Sequence, residues 1–297
     1  MIKDYVIKLI ENLPEKKDAP LNLDLVLDGG LFNGSYLIGA LYFLKELEKR
    51  KYIIIERISS SSIGAVAAFL YYIDGLDLMP KLYDTVIKDF KQTYNLNIIK
   101  ELKTQLGDNI PEDICERVNN KFFISYNNVN KRTKIVKSTY KDVDDIINII
   151  IKSSYIPFLI DGNILYENKY IDGGAPYIFK REPNKKILYL DLFGYDKIGN
   201  TIIIKNEKNN LHRILHGLLD IHSFFIKKSN TSMCSFVNDW NVYNKGGNCI
   251  KIWIEKICVF LIYLISKIDH LKETVLYKIL SKILHSIFII ILENYCF

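Results

Sequence analysis

Short apolar runs alternate with segments of helical periodicity over the first 200 residues of the chain. Runs dense in Ile, Leu and Val predict core strands at residues 23–27, 52–55, 133–138 and 186–192. Apolar side chains recur every three or four positions in other segments, which predicts helices over residues 35–50, 65–73 and 142–152. The first two strands therefore each lead through a turn into a helix.

The rest of the chain is amphipathic or polar. A helix over 2–13 leads into a charged linker over 14–20, and residues 78–120 have a helical, strongly charged pattern without catalytic spacing. In the last third, the pattern predicts helices at 211–228, 250–268 and 274–292, with a polar loop over 229–248 between the first two. We expect three regions: a helix and linker (1–20), an α/β domain (21–200) and a basic helical region (201–297).

The turn after the second strand carries a candidate nucleophile. Its sequence, Ser60-Ser61-Ser62-Ile63-Gly64, fits the G-x-S-x-G pattern of a nucleophile elbow, with Ser60 in place of the first glycine. In such a turn the Ser62 hydroxyl points outward and the N–H groups of the new helix face whatever it attacks. The residues two before and two after must be small because the backbone folds back on itself. The alternative is a serine-rich turn that caps the helix.

A glycine-rich loop, Asp28-Gly29-Gly30-Leu31-Phe32-Asn33-Gly34, joins the first strand to its helix. Strand, loop and helix together form a cradle of backbone N–H groups that favours negative charge, either an oxyanion or a phosphate. The sequence matches neither the G-x-G-x-x-G dinucleotide pattern nor a Walker motif. The alternative is a packing turn.

A third motif, Asp172-Gly173-Gly174, follows a short strand that ends near residue 171. A carboxylate ahead of two glycines fits a turn open to positive φ, with room for a substrate beside it. The alternative is an ordinary Asx-Gly turn. Upstream, Ser154-Tyr155-Ile156-Pro157 ends the predicted helix 142–152 at its proline.

In their order and context, these three motifs resemble the patatin-like phospholipase family over residues 23–192. The resemblance implies a three-layer α/β/α sandwich, here with a mainly helical C-terminal extension. It also implies a Ser–Asp dyad that needs no metal, with Ser62 as nucleophile and Asp172 as its base. The activity implied is hydrolysis of fatty-acyl esters of phospholipids or related lipids through an acyl-enzyme.

The same resemblance assigns supporting residues. It implies that the oxyanion hole is built from backbone N–H groups of Gly29, Gly30, Leu31 and Ile63. It further implies that the elbow and the Asp172 turn are supported by Ser60, Gly64, Gly173 and Gly174.

Three positions depart from the family pattern. Leu31 replaces the third glycine of the loop, Asn33 replaces its basic residue, and Ser60 replaces the first elbow glycine. A backbone N–H survives at Leu31, so an oxyanion hole remains available where φ and ψ permit. The departures leave an alternative open, a catalytically inactive member that binds lipid or a membrane.

Two rival chemistries remain. Asp28 also heads an Asp-Gly-Gly and is a rival base, although its place at the end of the first strand better suits fixing the loop. A late histidine could complete a Ser–Asp–His triad, the candidates being His212, His216, His222, His270 and His285. His212 and His216 share a helical face but lack the H-E-x-x-H form of a zinc site. We expect no cofactor.

The net charge of +6 is concentrated in residues 201–297, where 12 Lys and Arg face 7 Asp and Glu. This excess suits an anionic surface, and without a nucleic-acid fingerprint we expect a membrane over residues 250–292 and no nucleic acid. The uncharged run 257–266 is shorter than the roughly 20 residues a span needs. In 274–292, Lys278, Lys282 and His285 form a polar stripe on an apolar helix that suits a membrane interface. The alternative is that these helices pack on the core.

The cysteines and the first residues bear on the compartment. Five scattered cysteines without metal spacing argue against a disulfide framework, and the chain starts without an apolar signal segment. We therefore expect an intracellular protein, cytoplasmic or peripherally bound to a membrane, and not a secreted one.

Overall fold

The structure is a computed structural model that describes residues 2–14, 19–194, 197–201, 203–205, 207, 209–267, 290 and 293. The strands in this part are β1 (Leu21–Leu27), β2 (Ile53–Ser61), β3 (Phe122–Asn128), β4 (Thr133–Lys137), β5 (Tyr170–Ile171), β6 (Lys186–Leu190) and β7 (Cys234–Phe236). The helices are α1 (Ile2–Glu11), α2 (Gly34–Lys49), α3 (Ile63–Tyr72), α4 (Met79–Thr93), α5 (Leu102–Leu106), α6 (Ile114–Val118), α7 (Val143–Ser153), α8 (Leu211–Lys227) and α9 (Val242–Lys267).

The strands form one mixed sheet in the order β4-β3-β2-β1-β6-β7, with β5 paired to β3. The central strands β3, β2, β1 and β6 are parallel, whereas β4 and β7 close the two edges in the antiparallel direction. The carboxyl ends of the parallel strands therefore lie together at one end of the sheet, where ligands bind in open α/β folds.

The short strand β5 pairs with β3 on the same side as β2, just beyond the point where β2 ends. Ser61, the last residue of β2, pairs with Ser125 of β3, and Ile171 of β5 pairs with Asn127, two residues farther along β3. The other side of β3 is occupied by β4 over the same residues. The residues that follow β2 and β5 are therefore brought together at one point of the sheet.

The sheet separates two layers of apolar side chains. Leu23, Leu25 and Leu27 of β1 pack with the helices into the main core, together with buried side chains of α1, α2, α3, α7 and α8. Val26 of β1 faces the opposite way and packs with Phe179 and Val237. This alternation along a buried strand is the expected one. The arrangement confirms the predicted α/β sandwich with a helical C-terminus.

Two predicted elements need correction. The second strand does not end at residue 55 but runs to Ser61, because Ile58–Ser60 are paired on both sides and Ser61 still pairs with β3. Nearer its start β2 pairs only with β1, and Ile54 is exposed. The loop predicted over 229–248 is wrong as well. It contains β7, and α9 begins at Val242 after Asn241, whose side chain accepts a hydrogen bond from the Asn244 N–H as a helix cap does.

Other predictions have mixed outcomes. The helices expected near residues 2–13, 35–50, 65–73, 142–152 and 211–228 are confirmed, while β3 was not predicted. The helix expected over 274–292 lies outside the described residues, apart from residue 290. Strand β7 shows that the region after residue 200 contributes to the sheet. No helix within the described ranges is long and apolar enough to cross a membrane.

Candidate active site

Ser62 lies in the tight turn between β2 and α3. Its φ of 53° and ψ of −132° are sparsely populated for a residue other than glycine, and its side chain is 6 % exposed. The Ser62 N–H donates to the Ser153 hydroxyl at 2.9 Å, and that hydroxyl donates to the Ser125 carbonyl at 2.6 Å. The end of α7 and strand β3 thus hold the elbow in its strained conformation.

The residues on either side of Ser62 keep the turn tight. A Cβ at Gly64 would lie 2.5 Å from the Asp28 carbonyl oxygen, so only glycine fits this close approach of α3 to the end of β1. Ser60 is fully buried on β2, and its hydroxyl has no hydrogen-bond partner among the described residues. Ser61 points the other way and donates to the Gly174 carbonyl at 2.6 Å, which ties the elbow to the Asp172 turn.

Asp172 follows β5 and lies beside Ser62. One carboxylate oxygen, Oδ1, accepts the Gly174 N–H at 2.7 Å, while the buried Oδ2 has no hydrogen-bond partner in the part of the chain that the structure describes. Gly174 adopts φ 55°, which permits this tight turn, and Gly173 N–H donates to the Ser153 carbonyl. The free oxygen is available to receive a proton.

Burial raises the pKa of the Asp172 carboxyl group to about 6. The neighbouring Ser62 hydroxyl, the Gly174 N–H and the charge of Lys134 lower that pKa, whereas the charge of Glu255 raises it. The Ser62 hydroxyl is thus close enough to influence the pKa of the Asp172 carboxyl group, although no hydrogen bond of ordinary geometry joins the two groups. A carboxylate of raised pKa is a stronger base for an alcohol than an ordinary aspartate.

Backbone N–H groups for an oxyanion lie in the loop after β1 and at the start of α3. Gly29 is already committed, because its N–H donates to Asp28 Oδ1 at 2.9 Å. Gly30 has φ 155° and Leu31 has φ 46°, and neither makes a hydrogen bond through its N–H to another described residue. Ile63 opens α3, so its N–H has no partner within the helix. Among the described residues, Gly30, Leu31 and Ile63 are therefore the candidate donors of the loop and of the start of α3 that have no other partner.

The two departures in this loop have structural consequences. Leu31 occupies a left-handed conformation that a leucine adopts only with strain. Asn33 is buried, and its amide donates to the Leu192 carbonyl at 3.2 Å, the Lys197 carbonyl at 2.9 Å and Thr201 Oγ1 at 3.1 Å. These three bonds fix the loop against the segment that follows β6.

A buried cation supports Asn33 from α8. Arg213 Nη1 donates to Asn33 Oδ1 at 2.8 Å, and the same guanidinium bonds Glu207 and the Ile203 carbonyl. Arg213 is fully buried. Sequence reasoning missed this residue, because nothing local in α8 signals a contact with a loop 180 positions earlier.

Both carboxylate oxygens of Asp28 are engaged by other groups. Its Oδ1 accepts the Gly29 N–H, and its Oδ2 forms a partly buried ion pair with Lys251 of α9. Burial raises the pKa of Asp28 to about 7, against the charge of Lys251, which lowers it. With both oxygens engaged, Asp28 fits the loop-fixing role expected from its position.

Two cavities meet at Ser62. The first lies between α3, α4 and the short helix Asn97–Glu101, and its walls are almost wholly apolar. The second is a wider cleft bounded by the Asp172 turn and by α9. Leu31, Ser62 and Ile156 line both. Residues 78–120, which showed no catalytic spacing, thus contribute most of the apolar cavity.

Helix α9 closes the cleft and places the Glu255 carboxylate there beside the apolar Ile254, Val259 and Ile262. Glu255 accepts hydrogen bonds from the Ala175 N–H at 3.1 Å, from Asn127 Nδ2 at 2.9 Å and from Lys134 Nζ at 2.7 Å. Asn127 also donates to the Asp172 carbonyl at 2.9 Å. The helix is therefore bonded directly to the turn that carries Asp172.

The histidines of α8 lie elsewhere. His216 packs edge-on against Tyr36, His222 packs edge-on against Phe43, and His212 lies 3.5 Å from Glu207. None of them contacts Ser62 or Asp172, while His270 and His285 fall outside the described residues. Nowhere in the described ranges do three or more His, Cys, Asp or Glu side chains converge as a metal site would require.

Comparison with known proteins gives one finding. A family model described as Patatin-like phospholipase matches residues 25–177, just over half of the chain. The match begins in β1, contains the loop, the elbow and the Asp172 turn, and stops before α8 and α9. No curated protein matches the chain.

Proposed function

The chain belongs to the patatin-like phospholipase family, and from this premise we propose that it hydrolyses fatty-acyl esters of phospholipids or related lipids with Ser62 and Asp172 as its catalytic pair. The family supports a lipid acyl hydrolase in general terms. One observation carries the finer proposal: the strained Ser62 lies beside a buried carboxylate of raised pKa, at the point where an apolar cavity opens into a cleft.

The first half of the reaction forms an acyl-enzyme. Ser62 Oγ attacks the ester carbonyl carbon while its proton passes to Asp172 Oδ2. The carbonyl oxygen becomes an oxyanion that accepts hydrogen bonds from Gly30, Leu31 and Ile63. The ester C–O bond then breaks, and the leaving alcohol takes the proton from Asp172. Removing one such donor typically costs about 2.7–4 kcal/mol of transition-state stabilisation.

The second half releases the acid. Water attacks the acyl carbon and gives its proton to Asp172, and collapse of the tetrahedral intermediate returns that proton to Ser62 Oγ as the fatty acid leaves. The enzyme is restored without any other reactant. Asp172 must be ionised at the start of each half, so the raised pKa sets the acid side of the working range.

The two cavities suggest how the substrate lies. The enclosed cavity offers apolar walls such as Val66, Leu82 and Val86 and suits the acyl chain. The cleft contains Asp191, Lys251 and Glu255 and suits the polar alcohol part of the lipid. Membrane contact is expected over residues 250–292, and the structure describes the portion of this region in α9. That membrane contact remains part of this proposal.

A fluorophosphonate probe with a long alkyl chain tests the dyad, because it phosphonylates a serine only when that serine is activated. We expect Ser62 to be labelled in the folded protein, and Ser62→Ala and Asp172→Asn each to abolish labelling and ester hydrolysis. Ser60→Ala is a matched control, because that buried hydroxyl lies two residues earlier, on β2, without a hydrogen-bond partner among the described residues. Labelling that survives in Ser62→Ala would contradict the assignment.

The left-handed φ of Leu31 favours a second candidate, a catalytically inactive member that binds lipid. If strain turns the Leu31 N–H away from the ester, the folded protein binds lipid in the apolar cavity without turnover. Absence of labelling at every pH, together with saturable binding of a fatty acid, would support this candidate instead.

A further inference from the structure

Helix α9 packs on the sheet side through Lys251, Glu255 and the buried Val259, and it leaves a broad apolar surface on its other side. Its inner face holds Lys251 and Glu255, which bond the active-site loop and turn. Its outer face is apolar and open to solvent: Trp253 is 60 % exposed, Ile257 54 %, Phe260 45 % and Leu264 42 %. These four lie on one stripe at spacings of 4, 3 and 4 residues. Exposed apolar stripes of this length mark interaction sites.

The charges beside the stripe have one sign. Lys245, Lys256 and Lys267 are all exposed and follow one another at 11-residue intervals, about three helical turns, so they form a line along one border of the stripe. The single acidic residue of α9, Glu255, is turned inward to Lys134. The outer face is therefore apolar with a positive border and carries no carboxylate from α9.

The stripe is continuous with the cleft. Ile250 and Ile254 are exposed residues next to Trp253 and Ile257 on the helix surface, and both also line the cleft that contains Ser62. An apolar path therefore runs from the outer face of α9, over Ile254, to the nucleophile.

We propose that the outer face of α9 docks on an anionic lipid bilayer, with Trp253, Ile257, Phe260 and Leu264 entering the interface and the line of lysines contacting lipid headgroups. A helix that lies in a bilayer interface needs an apolar face bordered by cations, and this face has both. Docking places the mouth of the cleft on the membrane, so that a lipid leaves the bilayer over Ile250 and Ile254 without crossing water. The role of that path rests on the proposed function, whereas docking itself does not.

Vesicle co-sedimentation separates docking from catalysis. Ser62→Ala protein should bind vesicles of phosphatidylcholine with phosphatidylglycerol as well as the wild type does. Ile257→Glu should bind at least tenfold more weakly, whereas Leu219→Glu, at an equally exposed apolar position on α8, should bind unchanged. Replacing Lys245, Lys256 and Lys267 together by alanine should weaken binding to these vesicles about 100-fold, since each lysine near an anionic surface adds about a factor of five.

Two further readouts test orientation and rival occupants. In Trp240→Phe protein, Trp253 is the remaining tryptophan, and its emission should shift to the blue on these vesicles. Ile257→Glu should keep hydrolysis of a dissolved short-chain ester and lose that of vesicle lipid. Equal vesicle binding by Ile257→Glu and Leu219→Glu would overturn the proposal. So would a wild-type dimer that Ile257→Glu converts to monomer without change in vesicle binding, because the face would then cover a second copy.

Discussion

Ser153 accepts a hydrogen bond from the backbone N–H of Ser62 and donates one to the Ser125 carbonyl, so one buried hydroxyl joins α7, β3 and the elbow. The Ser62 N–H cannot bond within α3, since Ser62 precedes the helix. Ser153 therefore stabilises a backbone conformation that costs of order 1–3 kcal/mol.

Removing the Ser153 hydroxyl should loosen the elbow. In Ser153→Ala the buried Ser62 N–H loses its partner, which costs about 1–3 kcal/mol of unfolding free energy. We expect a lower Tm and at least tenfold slower fluorophosphonate labelling of Ser62. Ser154→Ala is the matched control, because the neighbouring buried hydroxyl has no hydrogen-bond partner among the described residues. Equal labelling rates in the two variants would show that Ser153 does not position the nucleophile.

The pH dependence of kcat/KM should report the ionisation of Asp172. Because the base must be ionised and its pKa is raised to about 6, activity should rise with pH through about 6 and then level off. Glu255→Gln should move this limb to lower pH, since the Glu255 charge raises that pKa. Lys134→Met should move it to higher pH, since the Lys134 charge lowers it. Shifts of the same sign in both variants would contradict the assignment of the limb to Asp172.

Restoring the family's basic residue should not improve the enzyme. In Asn33→Arg a second guanidinium would enter the space in which Arg213 Nη1 bonds Asn33 Oδ1, and two buried like charges repel. The three hydrogen bonds that the Asn33 side-chain amide donates would also be lost or rearranged. We expect a loss of several kcal/mol of unfolding free energy, measured by denaturant titration.

A second change separates crowding from charge in that experiment. Arg213→Met combined with Asn33→Arg should recover part of the lost stability, because the repulsion is removed while Glu207 stays to balance the remaining guanidinium. Unchanged or higher stability of the Asn33→Arg single variant would mean that Arg213 does not supply the cation behind the loop.

Filling the enclosed cavity should shorten the acyl chain that the enzyme accepts. Val86 lines that cavity from α4, and Val86→Trp should lower kcat/KM for long-chain esters about 100-fold while leaving butyryl esters unchanged. This magnitude corresponds to about three methylene groups that no longer find an apolar site, at about 0.8 kcal/mol each. Asp84→Trp, at an exposed position of the same helix, is the control. A uniform loss over all chain lengths would place the acyl chain elsewhere.

Local sequence patterns predict the parts of the site that local geometry makes. Ser62 and Asp172 are recognisable because a strand-to-helix turn and an Asp-Gly-Gly turn each need particular small residues at fixed offsets. The strands and helices around them follow from apolar periodicity, which burial enforces over most of β1, α2 and α3.

The parts that were missed depend on contacts between distant segments. Ser153, Arg213 and Glu255 look ordinary in their own helices, and their roles come from partners 91, 180 and 128 positions away. The cavity walls in α4 were hidden because that helix is rich in charge on its other side. The inner and outer faces of α9 could not be told apart, since its pattern does not say which face meets the sheet.

The pairing of β2 and β5 to neighbouring positions of β3 bears on how the chain tolerates changes in length. Because Ser61 and Ile171 are registered on Ser125 and Asn127, their separation along β3 is set by the rise of about 3.3 Å per residue and not by the polypeptide that links them. Extra residues in the exposed β3–β4 turn around Lys131 would lengthen the polypeptide between Ser61 and Ile171 without changing where β5 pairs with β3. The spacing of the proposed catalytic pair thus does not depend on the length of that turn, and a linker or reporter domain placed there should leave hydrolysis intact.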